Sequence, residues 1–318
     1  MQIEQSPDIT LRTVPASNGV QWAWRGWRIL MAAPLLAHTV VILFFVMMVL
    51  LGVIPLLGIV LPALCMPLVY AACVGSLRQV ALQYDEKQAL KAAGKTTMQK
   101  PPETQAEAEA MLKRALGSHP LRAFFYTLTG PAVMRLLVLG VVYVLCMLTI
   151  FGATAVIDGG TFFNVMVMGI SPSELKPEMA KDLFAPLIFF LLLYVPVSLL
   201  FWFSPLLVAW HDQSVIKALF FSLMGCARNI AAFSMFTAVL VGVLFGSTTL
   251  IVLMGSLTGA LGVVQGLMLP VTLFMVVWFF CCFYASYEQL IVIKTKTVKP
   301  DIVKNNVVED NKEESQND

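Results

Sequence analysis

Six long apolar runs constrain this chain more than any other feature of its sequence. Each run has 18 or more consecutive, mostly apolar residues, which is enough to cross a hydrocarbon core of about 30 Å at about 1.5 Å per residue. The mean hydropathy of +0.81 is far above that of soluble domains. We therefore predict an all-α polytopic membrane protein with six transmembrane helices, short interfacial helices and a cytoplasmic helical connection. The predicted spans are Ile29 to Leu51, Ile54 to Leu77, Val133 to Ile157, Leu183 to Trp210, Ala231 to Met254 and about Leu261 to Tyr284.

The basic residues are distributed unevenly between the two sides of the predicted bundle. Of the 21 Lys and Arg residues, only Lys176 and Lys181 fall on the side that holds the 158–182 loop, where four carboxylates accompany them. The positive-inside rule then places the opposite side in the cytoplasm. With six spans, both termini are expected to be cytoplasmic.

The connections between the runs divide the chain into segments. Trp22, Trp24 and Trp27 alternate with Arg residues ahead of the first run, a pattern typical of an interfacial anchor. The predicted segments are a mobile cytoplasmic N-terminus (1–20), an interfacial helix with the first hairpin (21–77), a cytoplasmic helical connection (78–131), a second hairpin (132–210) with an acidic external loop (158–182), an interfacial helix with the third hairpin (211–290) and a disordered cytoplasmic tail (291–318).

The sequence contains no recognisable catalytic or nucleotide-binding motif. No Walker A, GxGxxG, HExxH or GxSxG pattern occurs. The six cysteines lie in or beside the spans without Cys-x-x-Cys spacing, so we expect neither disulfides nor a metal site. The basic residues follow the membrane face, which gives no support for nucleic-acid binding. We expect no catalytic residues, no cofactor and no metal.

Four ionisable residues form the candidate polar site: His38, Arg135, His211 and Asp212. His38 is predicted near the middle of the first span, where an ionisable group is costly, although a neutral imidazole bonded to a backbone carbonyl would also explain it. Arg135 lies just inside the third span. The pair His211–Asp212 ends the fourth span, where Asp212 or Ser214 is expected to cap a helix that begins near Val215.

Two further patterns concern the helices themselves. Pro186, Pro196 and Pro205 remove backbone donors from the fourth span, and such interruptions either serve packing or line a substrate site. Gly242 and Gly246 have the small-xxx-small spacing that allows close helix contact, within the chain or between subunits.

The stretch "FSPLLVAWHDQSVIKALFFSLMGCARNIAAF", together with "YASYEQLI", resembles an uncharacterised family of six-span inner-membrane proteins from proteobacteria. A more distant resemblance is to the membrane domain found beside glycerophosphodiester phosphodiesterases. The first resemblance implies a six-span fold in the bacterial inner membrane, and that family has no established activity. The matching positions are Pro205, Leu207, Val208, Ala218, Ser222, Asn229, Tyr284 and Tyr287.

Three functions remain open from the sequence. The leading expectation is a non-enzymatic envelope scaffold or accessory subunit, because no complete reactive constellation occurs. Its expected partners are the lipid bilayer and a second copy or another membrane protein, without nucleic acid. The alternatives are a small-molecule or lipid transporter with a cavity near His38 and the proline-broken fourth span, and a membrane-surface enzyme that acts on lipid headgroups through His211 and Asp212.

Overall fold

A computed structural model describes residues 8–93, 119–171, 183–259 and 261–294 of the chain. The described part is helical apart from one short two-stranded sheet. In chain order the elements are β1 (Asp8–Leu11), α1 (Asn18–Ala32), α2 (Pro34–Gly52), α3 (Val60–Ala92), α4 (Pro120–Thr129), α5 (Val133–Asp158), α6 (Thr161–Met166), α7 (Phe184–Phe201), α8 (Ser204–His211), α9 (Val215–Arg228), α10 (Ile230–Thr258), α11 (Leu261–Leu290) and β2 (Ile291–Lys294).

Among the described residues, six helical segments are long and apolar enough to cross a membrane, which confirms the predicted fold class. They are Pro34–Gly52, Val60–Ala92, Val133–Asp158, Phe184–His211, Ile230–Thr258 and Gly266–Leu290. The first span begins five residues later than predicted. Ala33 leaves the helical region (φ −151°, ψ 70°) because the ring of the following Pro34 clashes with a helical conformation at that position. Ile29 therefore belongs to α1 rather than to the span.

Helix α1 packs on the ends of the spans, and its two faces differ sharply. Trp22, Ile29 and Leu30 are fully buried, whereas Trp24 is 61% exposed. Gly26 lies so close to α11 that a Cβ atom there would come within 2.6 Å of the backbone nitrogen of Cys282. An amphipathic helix of this kind suits the membrane interface, as the Trp-rich sequence predicted.

The two ends of the described chain meet in a β-ladder on one side of the bundle, which we call the terminal face. Strands β1 and β2 run antiparallel, with Ile9 opposite Ile293. The Arg12 amide also donates to the carbonyl of Leu290 at 3.0 Å. The ladder differs from the expected mobile N-terminus (1–20) and disordered tail (291–318), since backbone pairing orders residues 8–11 and 291–294. Residues 1–7 and 295–318 lie outside the described residues.

The fourth span is broken between α7 and α8, near Pro205, and a side chain from another helix fills the gap. The Ser222 hydroxyl of α9 accepts a hydrogen bond from the Phe203 amide at 2.8 Å and donates one to the Leu199 carbonyl at 2.8 Å. In an unbroken helix that amide and that carbonyl would bond to each other. Ser222 is therefore inserted into the interrupted ladder, and its insertion stabilises the kink.

The glycines of the spans divide into those that are needed for close packing and those that face open space. A Cβ atom at Gly140 of α5 would lie 1.8 Å from the Leu64 carbonyl of α3, so these helices cross in near contact. By contrast, nothing lies within 4 Å of such an atom at Gly152, Gly242 or Gly246. The predicted small-residue contact at Gly242 and Gly246 is therefore not made within the described chain.

The connections carry the remaining sequence expectations. Helix α3 continues to Ala92, and so extends into the predicted helical connection 78–131, of which residues 94–118 lie outside the described residues. The loop 158–182 begins with Asp158, whose carboxylate accepts the Gly160 amide at 2.9 Å at the start of α6. Residues 172–182 of this loop also lie outside the described part. The six cysteines are free.

Candidate functional site

His38 lies one turn into α2 rather than near the middle of the first span. The helix begins at Pro34, so His38 is only about 6 Å along its axis. Its Nδ1 is 2.7 Å from the Pro34 carbonyl oxygen, and its ring lies 5.9 Å from that of Phe274 in α11. The imidazole is therefore bonded to a backbone carbonyl, which is the non-functional explanation that the sequence analysis left open for His38.

Arg135 forms an ion pair with Asp212 at the terminal face. Its Nη2 donates to Asp212 Oδ1, and its Nη1 donates to the Asp212 carbonyl at 3.4 Å. The hydrogen bond from the guanidinium holds the pKa of the Asp212 carboxyl below its ordinary value. Because the Asp212 side chain is 75% exposed, the pair is a neutralised surface contact between the third and fourth spans.

His211 takes a different partner from its sequence neighbour. Its Nε2 is 2.6 Å from the hydroxyl of Tyr287 in α11, and the two rings are parallel within 2°. His211 is only 9% exposed and Tyr287 only 6%. Asp212 has a positive φ of 55° and ends α8 in the left-handed conformation, so the chain turns between the two residues. They do not act as a dyad.

The predicted helix after this pair begins at Val215, as expected from the sequence. Ser214 occupies the N-cap position without a side-chain hydrogen bond to the helix. Asp212 instead ends the preceding helix α8 and donates its own amide to the Leu207 carbonyl. The capping role proposed for Asp212 is therefore at the C-terminus of one helix and not at the N-terminus of the next.

A second polar feature, which the sequence did not reveal, lies beside this pair. Arg78 of α3 places its guanidinium 4.8 Å from the ring centre of Trp210, next to a pocket of about 280 Å³ that we call the boundary pocket. Arg78 is 18 residues past Val60, the start of its span, and so about 27 Å across the membrane. The boundary pocket is lined by Gly75, Arg78, Gln79, Ala123, Tyr126, Thr127, Gly130, Pro131, Ala132, Ala209 and Trp210.

From the sequence, Arg78 was counted only among the basic residues that indicate which side of the membrane is cytoplasmic. Its neighbour Trp210 and the α4 side chains Tyr126 and Thr127 come from distant parts of the chain. Only the close packing of α3 on α4 brings them together, aided by Gly75, where an added Cβ atom would lie 3.7 Å from both the Trp210 and the Thr127 side chains. Two sequence positions could have indicated this pocket: Arg78 directly follows the second predicted span, and Trp210 ends the fourth.

A further polar cluster on the terminal face fastens α1 to the bundle. Arg25 donates to both carboxylate oxygens of Asp85 at 2.7 and 2.5 Å and to Glu288 at 3.4 Å. These hydrogen bonds, that of Asp85 foremost, raise the pKa of the Arg25 guanidinium above its ordinary value. Gln289 accepts bonds from Asn18 and Trp22, both at 2.8 Å. Each of these groups has a partner that explains it structurally.

The four predicted site residues therefore separate into three places. The structure brings Arg135 and Asp212 together, joins His211 to Tyr287, and leaves His38 with contacts in α2 and α11 only. Within residues 8–93, 119–171, 183–259 and 261–294, no group of three or more His, Cys, Asp or Glu side chains could hold a metal ion.

Comparison with known proteins bears on the family rather than on the site. The chain is 30% identical over 283 residues to a probable inner membrane protein of Burkholderia thailandensis, an alignment that covers 86% of this chain and 91% of that protein. No family model matches the chain, and no solved structure matches it. The distant resemblance to the membrane domain found beside glycerophosphodiester phosphodiesterases stays a prediction. With its six apolar helices, the chain is a multi-pass inner-membrane protein and belongs to the family of this Burkholderia protein.

Proposed function

We propose that this protein is a non-enzymatic scaffold or accessory subunit of the inner membrane that binds an anionic phospholipid headgroup in the boundary pocket. The observation that carries the proposal is the environment of Arg78. Its half-buried guanidinium borders the pocket and stacks on Trp210, and no carboxylate among the described residues forms an ion pair with it. Arg25 and Arg135, by comparison, are both neutralised by carboxylates.

A phosphate group suits such a cation on physical grounds. A guanidinium offers several N–H donors in a planar array that matches phosphate oxygens, and such charge-assisted bonds are stronger than neutral ones. Basic pockets between spans on the cytoplasmic side are known sites for anionic lipid headgroups. The charge distribution of the sequence supports a cytoplasmic terminal face, which would put Arg78 at headgroup level in that leaflet.

The composition of the pocket favours binding over turnover. Among the described residues, its lining contains no carboxylate, histidine, cysteine or serine that could act as general base or nucleophile. The Thr127 hydroxyl already donates to the Ala123 carbonyl at 2.9 Å. Nearby His211 is hydrogen-bonded to a tyrosine rather than to a carboxylate, so the headgroup enzyme among the alternatives gains no specific support. The His38 part of the transporter alternative gains none either, because His38 has local partners.

Lipid retention tests the proposal. The detergent-purified protein is supplemented with phosphatidylglycerol or, as a zwitterionic reference, phosphatidylcholine, and bound lipid is counted by native mass spectrometry. The loss of one charge-assisted contact corresponds to about a tenfold or greater loss of affinity. Arg78→Gln should therefore reduce phosphatidylglycerol retention by about that factor. Arg122→Gln is the matched control, since Arg122 is exposed on α4 and lies outside the pocket.

Two results would overturn the proposal. Equal retention of phosphatidylglycerol by the wild type and Arg78→Gln would remove the headgroup site. Headgroup release from radiolabelled phosphatidylglycerol by the wild type, above that of protein-free micelles, would instead refute the non-enzymatic assignment.

A further inference from the structure

A second pocket lies deeper in the bundle, and we call it the aromatic pocket. It has a volume of about 220 Å³ and lies between α3, α5, the broken fourth span and α11. The described residues of its lining carry no formal charge and include many rings, among them Tyr70, Tyr143, Tyr194, Trp202 and Phe279. Most of these side chains are partly exposed, so the pocket opens on the surface of the bundle.

Trp202 lines this pocket and carries a buried polar group that no contact explains. Its Nε1 is buried and has no hydrogen-bond partner among the described residues. The ring is held by Phe233, Phe279 and Phe283, with centre-to-centre distances of 5.5, 6.2 and 5.4 Å. A buried N–H donor without an acceptor costs about 1–3 kcal/mol, and native proteins rarely leave one unpaired. An acceptor from outside the chain would remove that cost.

The depth of Trp202 restricts what that acceptor can be. Trp202 precedes His211, at the end of the span, by nine residues, or about 13 Å along the helix axis. That position is near the middle of a hydrocarbon core of about 30 Å, so the ligand reaches it through lipid. Because the described lining residues include no charged group to neutralise an ion, the ligand is expected to be uncharged.

The size and walls of the pocket narrow the class further. A pocket of about 220 Å³ is smaller than the roughly 300–1,000 Å³ typical for a whole drug-sized ligand. It therefore accepts one ring, with any tail left in the lipid. Aromatic walls favour a flat ring through offset or edge-to-face contacts.

We infer that the aromatic pocket binds the carbonyl-bearing ring of a neutral, membrane-soluble molecule of the quinone type, with Trp202 Nε1–H donating a hydrogen bond to the carbonyl oxygen. This site is independent of the boundary pocket, because the two share no lining residue. Only binding is assigned.

Equilibrium binding of radiolabelled decylubiquinone to the protein in nanodiscs tests the inference. Trp202→Phe keeps a ring in place but removes the N–H, and it should weaken binding about three- to tenfold, the factor for one net hydrogen bond. Trp24→Phe is the matched control, since Trp24 is exposed on α1 and outside the pocket. Ser198→Phe, at a partly exposed lining position, should block binding by filling the pocket.

Two competitor ligands separate the possible sources of the carbonyl. Decylbenzene, which has a ring and a tail but no carbonyl, should compete weakly and equally in the wild type and in Trp202→Phe. Stronger competition by dioctanoylglycerol than by unlabelled quinone would overturn the quinone assignment in favour of a lipid ester. Binding that is unchanged in both Trp202→Phe and Ser198→Phe would overturn the site itself.

Discussion

Replacing Ser222 with alanine tests how the broken fourth span is stabilised. The Ser222 hydroxyl is fully buried and bonds both to the Phe203 amide and to the Leu199 carbonyl, each at 2.8 Å. Alanine would leave one donor and one acceptor without a partner at membrane depth. The two groups cannot simply bond to each other, because the chain between them is kinked beside Pro205.

The expected loss follows from these two bonds. An unsatisfied buried polar group costs about 1–3 kcal/mol, whereas measured side-chain bonds between membrane helices average about 0.6 kcal/mol because the reference state also finds partners. Two bonds to fixed backbone groups therefore predict a loss of about 1–3 kcal/mol in the free energy of unfolding. Ser198→Ala should cost less than about 0.5 kcal/mol, since Ser198 bonds only to the Val195 carbonyl of its own helix.

Unfolding in mixed micelles with increasing dodecyl sulfate measures both variants. Circular dichroism follows the helices, and Trp fluorescence follows the packing around the six tryptophans, Trp202 among them. If Ser222→Ala loses no more stability than Ser198→Ala, the hydroxyl is not what stabilises the break, and the reasoning fails. A larger loss that Ser222→Thr restores would identify the hydroxyl, rather than the space that serine fills, as the cause.

Three other predictions test the helix crossings and the terminal face. Gly140→Ala should destabilise the protein by more than about 1 kcal/mol in the same micelle assay, because a Cβ there would meet the Leu64 carbonyl at 1.8 Å, whereas Gly152→Ala on the same helix should be neutral or slightly stabilising. Asn229→Ala should speed amide exchange of residues 9–14 about tenfold, as its side chain bonds the Val14 amide at 2.8 Å and the Arg12 carbonyl at 3.1 Å; unchanged exchange would contradict this. The hydrogen bond from Arg135 lowers the pKa of Asp212, so this ion pair should add less than about 1 kcal/mol to the free energy of unfolding above pH 4. That contribution should be lost as the pH falls through the pKa of Asp212 in the folded protein. A difference in stability between wild type and Asp212→Asn that persists at pH 2 would refute this prediction.

The sequence predicted the spans well because membrane insertion is decided by local composition. An apolar run that is long enough must be a helix in lipid, whatever its neighbours are. The start of the first span was less predictable, because the hydropathy continues smoothly from Ile29 into α2. The steric effect of Pro34 on Ala33 ends α1 there, and that effect is local enough to have been read from the sequence.

The sites were less predictable because they depend on contacts between distant segments. His211 and Asp212 are adjacent in sequence, yet a single left-handed residue directs one side chain to Tyr287 and the other to Arg135. No pattern in the sequence indicates a positive φ at Asp212, although aspartate tolerates it better than most residues do. The β-ladder was missed for a similar reason, since its two short strands are separated in the sequence by the 279 residues from 12 to 290.

The break in the fourth span links the features that hydropathy could not reveal. The ring of Pro205 clashes with a helical carbonyl at Phe201, where α7 ends, and at that end Ser222 fills the interrupted ladder between Phe203 and Leu199. The same interruption places Trp202 between two helices, where its ring packs against three phenylalanines but its N–H finds no acceptor. In a straight helix the Phe203 amide would bond directly to the Leu199 carbonyl, without Ser222. The sequence offered packing or a substrate site as alternative reasons for Pro205, and the break beside it has features of both. Ser222→Ala tests the packing role, through the hydrogen bonds that Ser222 makes to Phe203 and Leu199. Trp202→Phe tests the binding role, through the unpaired indole N–H of Trp202.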